Sequence, residues 1–134
     1  MAYNILLVDD DPGFRSEAKE LLQRSGFTVT ECEGEQQACE LVKRRSFDLA
    51  VIDLMMEHSD SGFTLCYHFK KNHPKMPIVL LSSAASEMSI DFSMESASER
   101  SWIKADALLN KPIRFEQLLY ETQRLLGVLA SHAH

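Results

Sequence analysis

The sequence predicts an α/β fold, a doubly wound parallel sheet of five strands with helices on both faces. Three observations carry that prediction. Apolar, β-rich runs recur at "NILLVD", "LAVIDL" and "PIVLLSS", with weaker ones at "TVTEC" and "ALLNK". Between them lie stretches with three-to-four-residue apolar spacing, the alternation that βα units produce. The strong runs, such as Ile78 to Leu81, are apolar at every position rather than at every second one, which is the habit of strands covered on both faces. Right-handed crossovers between such strands give an open doubly wound sheet.

Taken in order, the first strand "NILLVD" runs into Asp9, Asp10 and Asp11. The first helix is expected over "DPGFRSEAKELLQRSG", with Phe14, Ala18, Leu21 and Leu22 on one face; Asp11 and Pro12 open it and Gly26 closes it. The second strand, "TVTEC", precedes a helix over "EQQACELVKRR", whose Lys43, Arg44 and Arg45 read as a solvated helix end. The third strand delivers Asp53 at its far end and leads to a helix over "GFTLCYHFKKN". The fourth strand finishes in Ser82 and Ser83. The segment "SEMSIDFSMESASERSWIKA" has no clean period over its first half; a long loop plus a helix of low local stability is expected there, with Trp102 and Ile103 needing cover. The fifth strand, "ALLNK", ends in Lys111, and a last helix is expected over "RFEQLLYETQRLLGVLA".

The 134 residues, 45% of them hydrophobic, suit one globular domain, residues 1–134, with an extended segment about 84–104 before the fifth strand. No internal repeat or Pro/Gly-rich linker divides them. A formal net charge of −6 argues for solubility and against a direct nucleic-acid surface, since phosphate backbones are held by clustered Lys and Arg. Cys32, Cys39 and Cys66 are an odd number without C-x-x-C spacing, which suggests reduced packing residues in the cytoplasm. The N-terminal apolar run is too short to span a bilayer and lacks a basic leader, so no membrane association is expected.

In a parallel α/β sheet, ligands bind beyond the carboxyl ends of the strands. Here the polar residues Asp9, Asp10, Asp53, Ser82 and Lys111 all fall at such ends. An ionised Asp53 at the end of an apolar run is costly unless something pairs with it. Two or three carboxylates at close range repel one another unless a cation neutralises them. A hard, oxygen-loving dication such as Mg²⁺ answers that need, so Mg²⁺ and Lys111 are the expected partners of Asp53. The alternative is that Asp9, Asp10 and Asp11 only cap the first helix, where acidic residues suit the helix dipole.

With "ILLVDDDP", "DLAVIDLMM", "PIVLLSS" and "LLNKP" in that order, the chain resembles the receiver domain of two-component response regulators over nearly its whole length. The resemblance implies a flavodoxin-like sheet of strand order 2-1-3-4-5. It makes Asp53 the phosphoacceptor, Asp10 a direct Mg²⁺ ligand, Asp9 a ligand or near-ligand acting partly through water, and the backbone carbonyl of Met55 another ligand beside Asp53. Ser82 matches the hydroxyl that bonds the phosphoryl group, and Lys111 the cation that pairs with it. The implied donor is a phosphohistidine on a sensor histidine kinase or histidine phosphotransfer protein. The implied output is a phosphorylation-switched surface for a protein partner rather than an enzymatic turnover.

Some positions depart from the family's pattern. Glu57 stands where a proline is usual, and "EHSDSG" is one residue longer than normal. Leu108, three residues before the lysine, replaces the frequent switching aromatic, and Ser83 replaces a small Ala. The long stretch from Ser82 to Lys111 offers either a private docking or homodimer face or an insertion without a partner. These departures keep a second class open, a pseudo-receiver acting as a phosphorylation-independent interaction or dimerisation module. An Asp-nucleophile phosphatase lacks its D-x-D spacing here, because Leu54 and Met55 follow Asp53, and dinucleotide binding lacks G-x-G-x-x-G.

Overall fold

A computed structural model describes residues 3–53, 61–82, 105–110 and 112–128. The elements run β1 (Asn4–Val8), α1 (Pro12–Arg24), β2 (Thr28–Cys32), α2 (Glu35–Arg44), β3 (Leu49–Asp53), α3 (Ser61–Asn72), β4 (Ile78–Ser82), β5 (Ala107–Asn110) and α4 (Phe115–Leu126). The five strands are parallel in the order β2-β1-β3-β4-β5, the flavodoxin-like arrangement. The expected loop and helix over about 84–104 lie outside the described residues.

Strand periodicity explains why the apolar runs have no polar alternation. Successive side chains point to opposite faces of a sheet, and here both faces are covered. Leu6, Val8, Ala50, Ile52, Ile78 and Leu80 face one way, packing with Ala38 of α2 and with Leu65, Cys66 and Phe69 of α3. Ile5, Leu7, Leu49, Val51, Val79 and Leu81 face the other way, against Ala18 and Leu22 of α1 and Leu118 of α4. Each fully buried Leu or Ile contributes roughly 1.5–3 kcal/mol. A one-residue slip of any central strand would therefore exchange its two apolar sets without exposing either, so polar contacts at the strand ends must help to fix register.

Such contacts are present at the ends opposite the carboxylates. Asp48 accepts a hydrogen bond from Asn4 N–H at 2.7 Å, while its own N–H donates to the Asn4 carbonyl at 2.7 Å, pinning the starts of β1 and β3. Asp106 does the same for β4 and β5: it accepts from Ile78 N–H at 2.8 Å, donates to the Ile78 carbonyl at 2.9 Å and pairs with Lys70 of α3 at 2.8 Å.

The helix ends follow local rules. Asp11 caps α1 by accepting from Gly13 N–H, with Pro12 in the first turn. Gly26 closes it at φ 98°, with Gly26 N–H donating to Gln23 O and Phe27 N–H to Leu22 O, a Schellman arrangement. One boundary differs from the sequence reading. The apolar spacing carries the last helix through Gly127 to Ala130, yet α4 stops at Leu126 because Gly127 takes the left-handed conformation, φ 76°, and closes the same arrangement through Arg124 and Gln123. The aromatic rings of Phe14 and Phe115 stack at 5.7 Å and tie α1 to α4.

Candidate functional site

Register brings the acidic residues together. Val8 of β1 pairs with Ile52 of β3, so the next residues along, Asp9 and Asp53, fall side by side at the carboxyl end of the sheet. Carboxylate oxygens of Asp9, Asp10 and Asp53 all lie within 4.8 Å of one another. Asp9 and Asp53 are buried, at 0% and 3% exposure, whereas Asp10 is exposed. Two buried carboxylates and a third at the rim form a hard-oxygen donor set, open on the Asp10 side. That set fits a divalent cation of the Mg²⁺ or Ca²⁺ kind. Beside it, a cleft of about 570 Å³ is lined by Asp10, Glu33, Gly34, Gln36, Gln37 and Glu40.

The three consecutive aspartates divide their work. Asp11 N–H donates to Asp9 Oδ1 at 2.9 Å, and Asp11's own carboxylate caps α1. The helix-cap alternative thus holds for Asp11, while Asp9 and Asp10 turn into the cluster.

Ser82 is the last residue of β4. Asp53 pairs with Leu81, which puts Ser82 one residue further along the adjacent strand. Its Oγ is buried, and it has no hydrogen-bond partner among the described residues. A buried hydroxyl left unpaired costs about 1–3 kcal/mol, so this atom is energetically out of place until something accepts or donates a bond to it. Lys111 and Met55, expected as the pairing cation and as a carbonyl ligand, lie outside the described residues. So do Glu57 and Ser83. Leu108 is half-buried and packs against the core on the α2 and α3 side.

One contact escaped the sequence reading. Arg15, in the first turns of α1, donates from Nη1 to the carbonyl of Asp9 at 2.7 Å and from Nε to Glu31 of β2 at 3.0 Å. Lys19 reaches the other oxygen of Glu31 at 3.0 Å. Hydrogen bonds from Lys19 and then Arg15 hold Glu31 below the usual carboxylate range. The signal available was the i, i+4 spacing of Arg15 and Lys19 on one helix face. Their target on β2 becomes visible only once β2 and α1 are packed.

The family model of the response regulator receiver domain matches residues 5–123. The chain belongs to the response regulator receiver domain family. Receivers are the signalling phosphoacceptors of two-component systems and interact with histidine kinases. This receiver is 31% identical over 118 residues to the uncharacterized transcriptional regulatory protein YrkP of Bacillus subtilis (strain 168), covering 88% of this chain and 47% of that protein. It is 30% identical over 129 residues to the response regulator MprA of Mycobacterium sp. (strain KMS), covering 94% of this chain and 51% of that one. The chain spans about half the length of these curated relatives. Among solved structures, the signal receiver domain of an HD domain-containing protein from Pseudomonas fluorescens Pf-5 superposes with a TM-score of 0.80 at 23% identity, over 98% of this chain and 91% of that one. A CheY-like receiver domain protein from Methanospirillum hungatei JF-1 gives 0.78 at 20% identity, over 99% and 100%. At these identities the structures speak to the receiver fold alone. Among the described residues, no helix is long and apolar enough to cross a membrane.

Proposed function

We propose that this receiver takes a phosphoryl group onto Asp53 from a phosphohistidine donor, on a sensor histidine kinase or histidine phosphotransfer protein, in a Mg²⁺-dependent reaction. The observation that carries the proposal is the placement of the Asp9, Asp10 and Asp53 carboxylates at the end of the sheet next to the strand that ends in Ser82, whose buried Oγ has no partner among the described residues. A Mg²⁺ ion held by Asp9, Asp10, Asp53 and the Met55 carbonyl would supply neutralisation of charge on the phosphoryl oxygens.

The chain's own residues account for the rest. An Asp53 oxygen attacks phosphorus, the new P–O bond forms an acyl phosphate, and the P–N bond to the donor imidazole breaks with its electron pair returning to nitrogen. Phosphoryl transfer runs through a loose, charge-dispersed transition state, so the chain contributes position and charge more than covalent chemistry. Ser82 Oγ donates to a phosphoryl oxygen, and Lys111, directly after β5, supplies a cation for another. Phosphorylation adds close to two negative charges, and the move of Ser82 toward them biases the segment that follows β4.

We assign residues 1–134 to one receiver domain with an extended segment about 84–104, acting in the cytoplasm on a protein partner or a second copy of itself. The family match over 5–123 and three cysteines, Cys32, Cys39 and Cys66, that form no disulfide among the described residues support this. Leu108, half-buried against the core where the family often has a switching aromatic, favours a second reading, a phosphorylation-independent interaction or dimerisation module. Incubation with acetyl phosphate and Mg²⁺, followed by intact mass measurement, separates them. A gain of one phosphoryl group that Asp53→Asn abolishes supports the first; no gain in the wild type, with partner binding unchanged by Asp53→Asn, supports the second.

A further inference from the structure

Among the described residues, Asp9 is gripped at three points or more. Its N–H donates to the Cys32 carbonyl at 3.2 Å, extending the β1–β2 ladder by one residue. Its Oδ1 accepts from Asp11 N–H at 2.9 Å. Its carbonyl accepts from Arg15 Nη1 at 2.7 Å. The first two bonds are local or belong to the sheet, but the third comes from a helix side chain whose own position is set elsewhere. Arg15 is 14% exposed, and its Nε is held by Glu31, which Lys19 holds in turn. The chain of contacts runs from the end of β2 through α1 to the bend that follows β1.

We propose that Arg15, oriented by Glu31, is a positioning residue that fixes the Asp9–Asp10–Asp11 bend so that the Asp9 and Asp10 carboxylates are aimed into the cation cluster before any ion binds. The inference rests on the reading of that cluster as a Mg²⁺ site. It follows from geometry. The peptide unit between Asp9 and Asp10 carries the carbonyl that Arg15 grips, and rotation of that unit redirects Asp10 relative to Asp9. Partners that orient metal ligands without touching the metal commonly change affinity by about 10–100-fold when removed.

The structure also supplies a competing expectation of opposite sign. Arg15 is a permanent cation close to a site for another cation, so if it acted only through its charge, removing it would tighten Mg²⁺ binding. If it acts by position, removing it loosens binding. Arg15→Lys sharpens the contrast. A lysine keeps the charge, but its single ammonium cannot reproduce the fixed fork that spans Asp9 O and Glu31 together.

The test is calorimetric Mg²⁺ titration of the full chain as wild type, Arg15→Met, Arg15→Lys, Glu31→Ala and Asp48→Ala. The last breaks a contact at the opposite end of the sheet and controls for general loss of stability. Amide hydrogen exchange at Asp11 is followed in parallel without any cation. We expect the dissociation constant to rise about tenfold or more in both Arg15 variants and in Glu31→Ala, no change in Asp48→Ala, and faster Asp11 exchange in the Arg15 variants. The Arg15→Met and Glu31→Ala changes should combine to less than their sum. Unchanged or tighter binding in Arg15→Met, or wild-type affinity in Arg15→Lys, overturns the inference while leaving the site intact. No Mg²⁺ binding by the wild type overturns the reading of the site and the inference with it. Should Arg15→Met not fold, Arg15→Lys and Glu31→Ala still decide.

Discussion

Replacing Asp53 by Asn should stabilise the protein when divalent cations are absent and remove most of the stability they add. Asp9 and Asp53 are both buried, and their carboxylate oxygens lie within 4.8 Å. Two like charges at that 4.8 Å separation repel by about 3.5 kcal/mol at an effective dielectric constant near 20. The hydrogen bond that Asp9 accepts from Asp11 N–H and the contacts that Asp53 itself makes offset much of this in the wild type, and the side-chain amide introduced by Asp53→Asn would need a partner of its own. A net gain of about 1 kcal/mol remains. Each kcal/mol moves Tm by roughly 3–5 °C in a domain of this size. A cation that binds only the folded state adds about 2.7 kcal/mol when its concentration is a hundred times its Kd, and the variant, short of one anionic ligand, should gain far less. Urea unfolding followed by circular dichroism, with EDTA and then with Mg²⁺, measures both effects. The variant should have the higher midpoint in EDTA, with the gap closing or reversing in Mg²⁺. A variant that is weaker in EDTA, or that gains as much from Mg²⁺ as the wild type, refutes the reasoning.

The remaining predictions concern single groups. Ser82→Ala removes a buried hydroxyl without a partner among the described residues, so unphosphorylated stability should hold or rise by about 1 kcal/mol. The same change should weaken beryllofluoride binding roughly tenfold by titration, the loss of one hydrogen bond to a charged group; weakened stability with unchanged beryllofluoride affinity would contradict Ser82's assignment. Burial pushes the Cys32 and Cys66 thiols up to about 12 from 9.0. Between those values the unfolded chain has lost protons that the folded one keeps, so stability is full below pH 9 and falls as pH rises from there toward about 12, by up to about 1.4 kcal/mol per pH unit for each thiol. Cys32→Ala and Cys66→Ala should flatten the decline in urea midpoints measured across that range. Half-buried Cys39 should be the first of the three to react with a thiol reagent in the folded protein.

Much of the fold was legible because the strands are buried on both faces. A run such as Leu49 to Ile52 admits few settings other than a central parallel strand, and the predicted sheet and its order were both found. The site was legible to the extent that chemistry sits at strand ends: Asp9, Asp10 and Asp53 meet as their positions implied. What the sequence could not distribute was the labour among three identical neighbours. Asp9, Asp10 and Asp11 differ only in where the bend after β1 points them, and Asp9 is held there by bonds from Asp11 N–H and Arg15 and by its own N–H donating to the Cys32 carbonyl. Arg15 was invisible for a related reason, since its partner Glu31 is sixteen residues away and reaches it only through the packing of α1 on β2. The end of α4 turned on the left-handed backbone of Gly127, a conformation that glycine permits but does not require.

The central claim is that Asp53 is the residue that carries the phosphoryl group. Borohydride reduces an aspartyl phosphate to homoserine, so treatment of the protein after incubation with acetyl phosphate, followed by peptide mass mapping, identifies the acceptor directly. The account predicts homoserine at position 53 only, formed when both acetyl phosphate and Mg²⁺ are supplied. Homoserine at another carboxylate, or none at position 53 under those conditions, would contradict it.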